Sequence, residues 1–354
     1  MFKPDAVMTR QVETAIDLVL SCRDRNSAIP RPAELASLLE YMISADGAKD
    51  AQYPGDRSGG KGIFWKRHLN MPFASVLRYY FNPGISSELL YPSSIRLGYW
   101  LPGSDMLNLS VPLWEQVDEI ADSAVILRGE EFEEITPDNF SGSYYRYNQD
   151  RLIMLLRYKN LPMLLSVVWQ KGASEVGKKG WFLGDYSNWD FVFTRDAGGT
   201  ATGLGMFSTY MYSSYCISLF FPQGDLRTGY SIFKWLKAGW GGFNVVQARH
   251  ILSGAERNFA GMKAVTDGGL SAEDLEEIES LVRRSDRGSL LEMSENYARA
   301  LAVLSKSDDV LKRSEFQNML NNGDYTRRLN DYELRSLVKI NALKRKLGKP
   351  VLGN

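Results

Sequence analysis

The hydrophobic period changes twice along this chain, and those two changes limit the folds open to it more than any single motif does. Residues 5–46 carry helical spacing: Val12, Ala15, Ile16 and Val19 form one stripe, and Leu35, Leu38, Leu39 and Met42 form another. Pro30 and Pro32 separate the two, the second at a place where a first helical turn tolerates proline. A polar, glycine-rich stretch at 53–62 then reads as a loop or linker. From about Phe64 to Phe221 the period falls to two, with runs at 95–100, 106–111, 124–127, 143–147, 152–158, 163–169, 191–194 and 206–221. Asn160, Leu161 and Pro162 look like a hairpin connection, and residues 196–199 like another turn, so the sheet is expected to be an antiparallel meander and not doubly wound.

After Pro222 the helical period returns. Residues 230–252 read as helical in part, interrupted at Gly239, Trp240, Gly241 and Gly242, because three glycines in four residues are costly to a helix. Ser271 with Asp274, and Asn330 with Glu333, resemble helix-capping pairs ahead of apolar stripes. The expected fold class is α+β, with N-terminal helices, a central antiparallel and strongly curved β-sheet, and a C-terminal helical bundle. The expected units are an N-terminal helical segment at 1–50, a sheet domain with a tryptophan-rich helix at 63–265, and the bundle at 270–354.

Lys plus Arg equals Asp plus Glu at 42 each, which removes the global attraction that nucleic-acid binders depend on, so no nucleic-acid partner is expected. No stretch approaches the roughly 20 apolar residues of a membrane span, and the N-terminus lacks a basic region followed by an apolar one. A cytoplasmic chain is expected, so the sequons at Asn108 and Asn139 are chance matches, and Cys22 and Cys216 are expected to be buried free thiols. No cofactor and no metal are expected, since two histidines and two cysteines cannot fill a zinc site without carboxylates.

Several clusters invite chemistry, and each has a plainer reading. His250 lies beside Arg249 in a helical stretch where Ser253, Glu256 and Arg257 fall within a turn or two, enough for a small cationic pocket or for a surface histidine. Asp185, Asn188 and Asp190 faintly resemble a calcium loop but fit a turn between strands better. Gly177, Lys178, Lys179 and Gly180 fit a solvated turn better than a phosphate loop. The acidic run 130–134 fits a solvated strand edge better than a catalytic carboxylate pair. Arg335, Lys339, Lys344, Arg345 and Lys346 lie opposite Leu334, Leu337, Ile340 and Leu347, as on a helix with a wet outer face.

The block 181–250 is crowded with Trp, Tyr, Phe and Gly. Within it one alternate set reads Tyr210, Tyr212, Ser214, Cys216, Ser218 and Phe220, small hydroxyls beside aromatics, which suits a ligand cavity. A curved sheet gripping a following helix would resemble, in architecture alone, helix-grip lipid-binding domains, a likeness that says little about function. The leading expectation is a protein that binds an apolar or amphipathic, lipid-like small molecule in a cavity bordered by Tyr210, Tyr212, Trp235 and Trp240. The alternatives are a hydrolase or transferase acting on a carbohydrate or phosphorylated substrate through Asp185, Asp190, Arg249 and His250, and a scaffold that docks a protein partner on its C-terminal helices. A well-packed aromatic core is the plain competitor to all three.

Overall fold

In the computed structural model, residues 8–44, 54–120, 124–136, 143–202, 205–320 and 324–353 are described. The elements in chain order are α1 (Arg10–Leu20), α2 (Ala36–Ser44), β1 (Lys61–Leu69), α3 (Phe73–Tyr80), α4 (Ser87–Leu90), β2 (Ile95–Trp100), β3 (Val125–Ile135), β4 (Ser143–Tyr158), β5 (Leu161–Gln170), β6 (Lys178–Phe182), β7 (Phe191–Ala197), β8 (Gly199–Thr202), β9 (Gly205–Ser208), β10 (Tyr210–Pro222) and β11 (Thr228–Gly239). The helices α5 (Ala248–Thr266), α6 (Ala272–Arg284), α7 (Arg287–Met293), α8 (Glu295–Leu304), α9 (Ser314–Leu320), α10 (Tyr325–Arg328) and α11 (Asp331–Lys346) follow.

The fold is α+β, built on an open antiparallel sheet ordered β1, β11, β10, β5, β4, β3, β2, with β6 and β7 branching from the start of β4. The sheet is covered on both faces. On one side α1 and α2, with Leu35 just ahead of α2, bury Val12, Ile16, Leu35 and Leu39 against Leu152, Met154, Leu165, Ile217, Phe233 and Trp235. On the other side α5 lays Ile251, Phe259 and Met262 over Trp65, Ile153, Phe220, Tyr230 and Ile232. Alternate residues of one strand thus enter different cores, and side chains in both need apolar surroundings.

This double burial accounts for the largest departure from the sequence expectation. The tryptophan-rich helix does not exist: residues 228–239 form β11, paired with β1 and β10, and the helix that grips the sheet begins only at Ala248. A strand covered on both faces loses its polar alternation and becomes a continuous apolar run, which periodicity cannot separate from a buried helix. The run 106–111 is also not a strand. Its first part is a short 3₁₀ turn, Asp105–Asn108, in which Met106 is buried while Leu107 stays exposed, as does Val111 beyond it. Residues 143–147 and 152–158 are one strand, β4, whose polar middle is satisfied across the sheet. Lys178 and Lys179 belong to β6 and not to a solvated turn, and Lys179 Nζ meets Glu315 at 2.8 Å. The β4–β5 hairpin turns on two residues, Lys159 and Asn160, both in the left-handed region, as a type I′ turn requires.

The C-terminal helices dock on the branch strands and the start of β4: Tyr144, Phe182, Phe191, Val192 and Phe193 pack against Val282, Tyr297, Leu301 and Val338. Both expected caps are formed. Ser271 Oγ accepts from the Asp274 N–H at 3.1 Å, and Asn330 Oδ1 accepts from the Glu333 N–H at 2.9 Å. The basic side chains of α11 are turned inward to a large extent. Lys339 Nζ lies 2.9 Å from Glu88 and 3.0 Å from Glu279, and the Arg335 guanidinium donates to the Val282 and Ser285 carbonyls. Lys344, fully buried, donates to both oxygens of Asp190 at 2.8 Å. Burial pushes the Asp190 carboxyl above its ordinary range, with Lys344 opposing. Breaking one side of such a pair strands a buried charge at a cost of about 3–5 kcal/mol, whereas replacing both with apolar groups is close to neutral. Lys344→Met is therefore expected to lower unfolding stability by about 3 kcal/mol in urea titration. Lys344→Met with Asp190→Leu is expected to recover most of that loss.

Candidate functional site

Between α5 and the sheet lies a cavity of about 540 Å³. Helical spacing puts His250, Ile251, Gly254, Ala255 and Asn258 on one face of α5, and this face forms its roof. Two of these are among the smallest residues, so the helix stands off the sheet here instead of filling the gap. The floor is a row running across the strands: Glu131 and Glu133 on β3, Gln149 and Arg151 on β4, Ser166 on β5, Cys216 on β10 and Lys234 on β11. Pairing fixes this row, with Glu131 opposite Gln149, Arg151 opposite Val168, Val168 opposite Cys216, and Cys216 opposite Lys234. Aromatic and aliphatic walls, including Trp65, Tyr91, Trp100, Phe220 and Ile232, enclose it.

The floor is charged but largely satisfied. Arg151 Nε donates to Glu131 Oε2 at 2.8 Å, Gln149 donates to the same oxygen at 2.8 Å, and the Tyr147 hydroxyl donates to Glu133 at 2.9 Å. Burial, reinforced by the neighbouring Glu131, raises the Glu133 carboxyl above its ordinary range. Burial likewise raises the Cys216 thiol and the Tyr147 and Tyr230 phenols. For Arg151 burial works the other way, and the charges of Glu131 and Glu133 outweigh it, holding the guanidinium more firmly protonated. Burial thus biases the Glu133 carboxyl and the Cys216 thiol towards their neutral forms, while Arg151 is biased towards its charged form.

The acidic run 130–134 is consequently not a solvated edge. β3 is an interior strand, and its alternation sends Glu131 and Glu133 to the cavity and Glu130 and Glu134 to the opposite face. Glu130 Oε1 accepts from Asn148 at 3.0 Å and its Oε2 from Lys171 at 2.7 Å. Glu134, fully buried, is bound by Arg146, which Glu333 shares at 3.0 Å.

The residues expected from sequence fall in several places. Trp235 faces α1 and α2, donating its indole N–H to the Gly55 carbonyl at 3.2 Å and stacking on Phe233 at 5.5 Å. Tyr212 accepts from the Gly242 N–H at 2.7 Å and lies under Lys237, while Tyr210 leans on Tyr212 with ring centroids 6.1 Å apart. Trp240 sits in the turn after β11, edge-on to Phe243 at 6.0 Å. None of these four is among the residues lining the cavity. The physical reason for the tyrosines is a β-bulge: Met211 faces Ala238 and Ser213 faces Lys237, so Tyr212 is an extra residue. One inserted residue exchanges the faces, and the cavity set of β10 runs Met211, Ser214, Cys216, Ser218, Phe220. The alternation seen in sequence is correct from Ser214 onward and fails before it.

The proposed catalytic set does not converge. His250 lines the cavity, but its Nδ1 accepts the Gln247 N–H at 3.3 Å as part of a capping box, and Arg249 is exposed. Asp185 caps the 3₁₀ turn Tyr186–Asn188, and the hydrogen bond from the Ser187 N–H at 2.8 Å holds its carboxyl below the ordinary range. Asp190 is bound to Lys344 and lies outside the cavity lining. Among the described residues, no group of three or more His, Cys, Asp or Glu side chains is placed to hold a metal ion, and no helix is long and apolar enough to cross a membrane. Sequence reasoning missed Glu131, Glu133, Gln149, Arg151 and Lys234 as cavity residues. Lys234 carried a usable signal, a lone charge on the same alternation as Ile232 and Leu236.

No protein-family model matches this chain, and no curated protein sequence does. Among solved structures, human StAR-related lipid transfer protein 5 superposes over 72% of this chain and 94% of its own, at 7% identity and a TM-score of 0.30. A likeness of that degree carries no argument about function.

The Glu134 cluster generates a pH prediction. Burial, only partly offset by Arg146 and aggravated by Glu333, pushes the Glu134 carboxyl up from 4.5 to about 7. The folded state therefore binds an extra proton between those values, so this group's contribution to stability is present below pH 4.5 and is lost as pH rises through 7. Glu134→Gln is expected to gain stability relative to wild type between pH 5 and pH 8, by an amount on the order of 2–3 kcal/mol. Urea midpoints across that range check it, and a difference independent of pH contradicts it.

Proposed function

We propose that this protein binds an apolar or amphipathic small molecule in the cavity between α5 and the sheet. The observation that carries this reading is the space itself, about 540 Å³ under a helix whose inward face includes Gly254 and Ala255. Ligand pockets fall at about 300–1,000 Å³ and combine apolar walls with a few fixed polar groups. Trp65, Tyr91, Phe220 and Ile232 supply the walls, and the row from Glu131 to Lys234 supplies the polar groups. Protein interiors are close-packed, so a volume of this size inside a fold is a feature to be explained by an occupant.

The hydrolase or transferase alternative has no comparable support, because Asp185, Asp190 and Arg249 lie outside the cavity that His250 borders. The reading also moves the binding residues off Tyr210, Tyr212, Trp235 and Trp240 and onto other positions of β3, β4, β5, β10 and β11.

Filling the space tests it. Ala255→Phe places a ring beneath α5, and the substitution is expected to weaken binding of the neutral apolar dye Nile red by about tenfold or more, about 1.4 kcal/mol. Ser253→Phe, on the exposed side of the same helix, is expected to leave dye affinity unchanged. Fluorescence titration of both variants, with thermal unfolding to confirm that each is folded, decides the matter. Equal dye binding by wild type and Ala255→Phe would contradict the reading.

A further inference from the structure

The cavity floor is not electrically complete. Of its charged side chains, Glu131 is engaged by Arg151 and Gln149, Glu133 by the Tyr147 hydroxyl, and Arg151 by Glu131 with a longer contact to Ser166 at 3.4 Å. Lys234 differs. Among the described residues no hydrogen bond or ion pair reaches its ammonium, and its charge acts on Glu133 and Cys216 only through space. The residue is half-buried on the cavity face of β11, flanked by Ile232 and Leu236 on the same face and opposite Cys216 on β10.

An ammonium flanked by apolar neighbours without a hydrogen-bonded counter-charge is costly, and the strand pairing of β11 on both edges keeps it from being withdrawn. A snorkelling lysine on a surface strand would reach bulk water along its stem, but Lys234 lies on the face that α5 covers. The group that completes the floor must therefore come with the occupant.

The geometry points to Lys234 as the anchor for a ligand that carries a single carboxylate on an apolar body, bound with its acid group over the middle of β11. This deepens the cavity reading and rests on it. A singly charged acid fits better than a phosphate ester for two reasons. One lysine offers a point charge and not the forked set of donors that phosphate recognition employs. Glu131, already ion-paired with Arg151 on the same floor, would repel a second negative charge. The apolar body has Ile232, Phe220 and Trp65 on one side of the anchor and Leu236 and Ala238 on the other.

The test uses two probes with the same tail, dodecanoate and 1-dodecanol, titrated calorimetrically into the full chain. Wild type is expected to bind dodecanoate about tenfold more tightly than the alcohol, a charged hydrogen bond being the difference. Lys234→Met is expected to lose that preference while binding the alcohol as wild type does, and Lys234→Arg to keep most of it. Thermal unfolding of Lys234→Met without ligand is expected to match or exceed wild type, since a half-buried ammonium with no hydrogen-bonded partner is removed. Equal affinity for the two probes in wild type, or an unchanged preference in Lys234→Met, would overturn the anchor and leave the cavity reading standing. Binding of neither probe, with Nile red also excluded, would sink both.

Discussion

The Arg151–Glu131 ion pair, held at 2.8 Å on a sheet face that a helix covers, is the constraint around which the rest of this molecule is arranged. Charges taken out of water cost several kcal/mol each, and their mutual attraction restores that only when their remaining valences are satisfied. Gln149 and Ser166 contribute to this, and Arg151 lies between the β3 carboxylates and the thiol of β10. An apolar helix pressed flat onto such a row would have to desolvate it completely. In this fold α5 instead seals against the sheet through Phe259, Met262 and Val265 and stands clear at Gly254 and Ala255. The cavity follows from a polar floor under a helix that stands clear of it at small residues.

The opposite face of the sheet shows what the same strands do without that constraint. There Leu152, Met154, Leu165 and Ile217 meet α1 and α2 as a continuous apolar core. The contrast is internal to single strands: on β11, Phe233 and Trp235 pack against α1 and α2 while Lys234 between them faces the cavity. One side of the sheet is built for cohesion and the other for vacancy. The C-terminal helices take no part in lining that vacancy except by holding β2, β6 and β7 in place, through Lys344 to Asp190 and through Arg146 and Arg195 to Glu333.

What could be read from the sequence was local, and what could not was long-range. The stripes of α1 and α2 and the caps at Ser271 and Asn330 depend on neighbours three or four residues away, and the structure has them. The β4–β5 hairpin was visible from its turn residues, displaced by one position. β11 was not legible, because its second covered face erased the polar alternation that marks a strand. The bulge at Tyr212 was not legible either, since a single extra residue changes which face a side chain takes without altering composition. The acidic run looked like a solvated edge because its partners, Lys171, Arg146 and Arg151, reach it only after β4 folds back across β3 and β5 returns. The aromatic block proved to have several destinations: Phe182, Phe191 and Phe193 under the helical bundle, Trp189, Phe220, Phe233 and Trp235 in the cores on the two faces of the sheet, and Trp240 in a turn.

The central claim is that the space under α5 is a place for a bound molecule. Native mass spectrometry of the full chain purified from its own source, followed by the same measurement after organic extraction, tests that most directly. The account predicts a fraction of the protein carrying a discrete additional mass that extraction removes, and an extract containing a small apolar acid. A single species at the bare polypeptide mass, from protein that afterwards takes up neither dodecanoate nor Nile red, would contradict it.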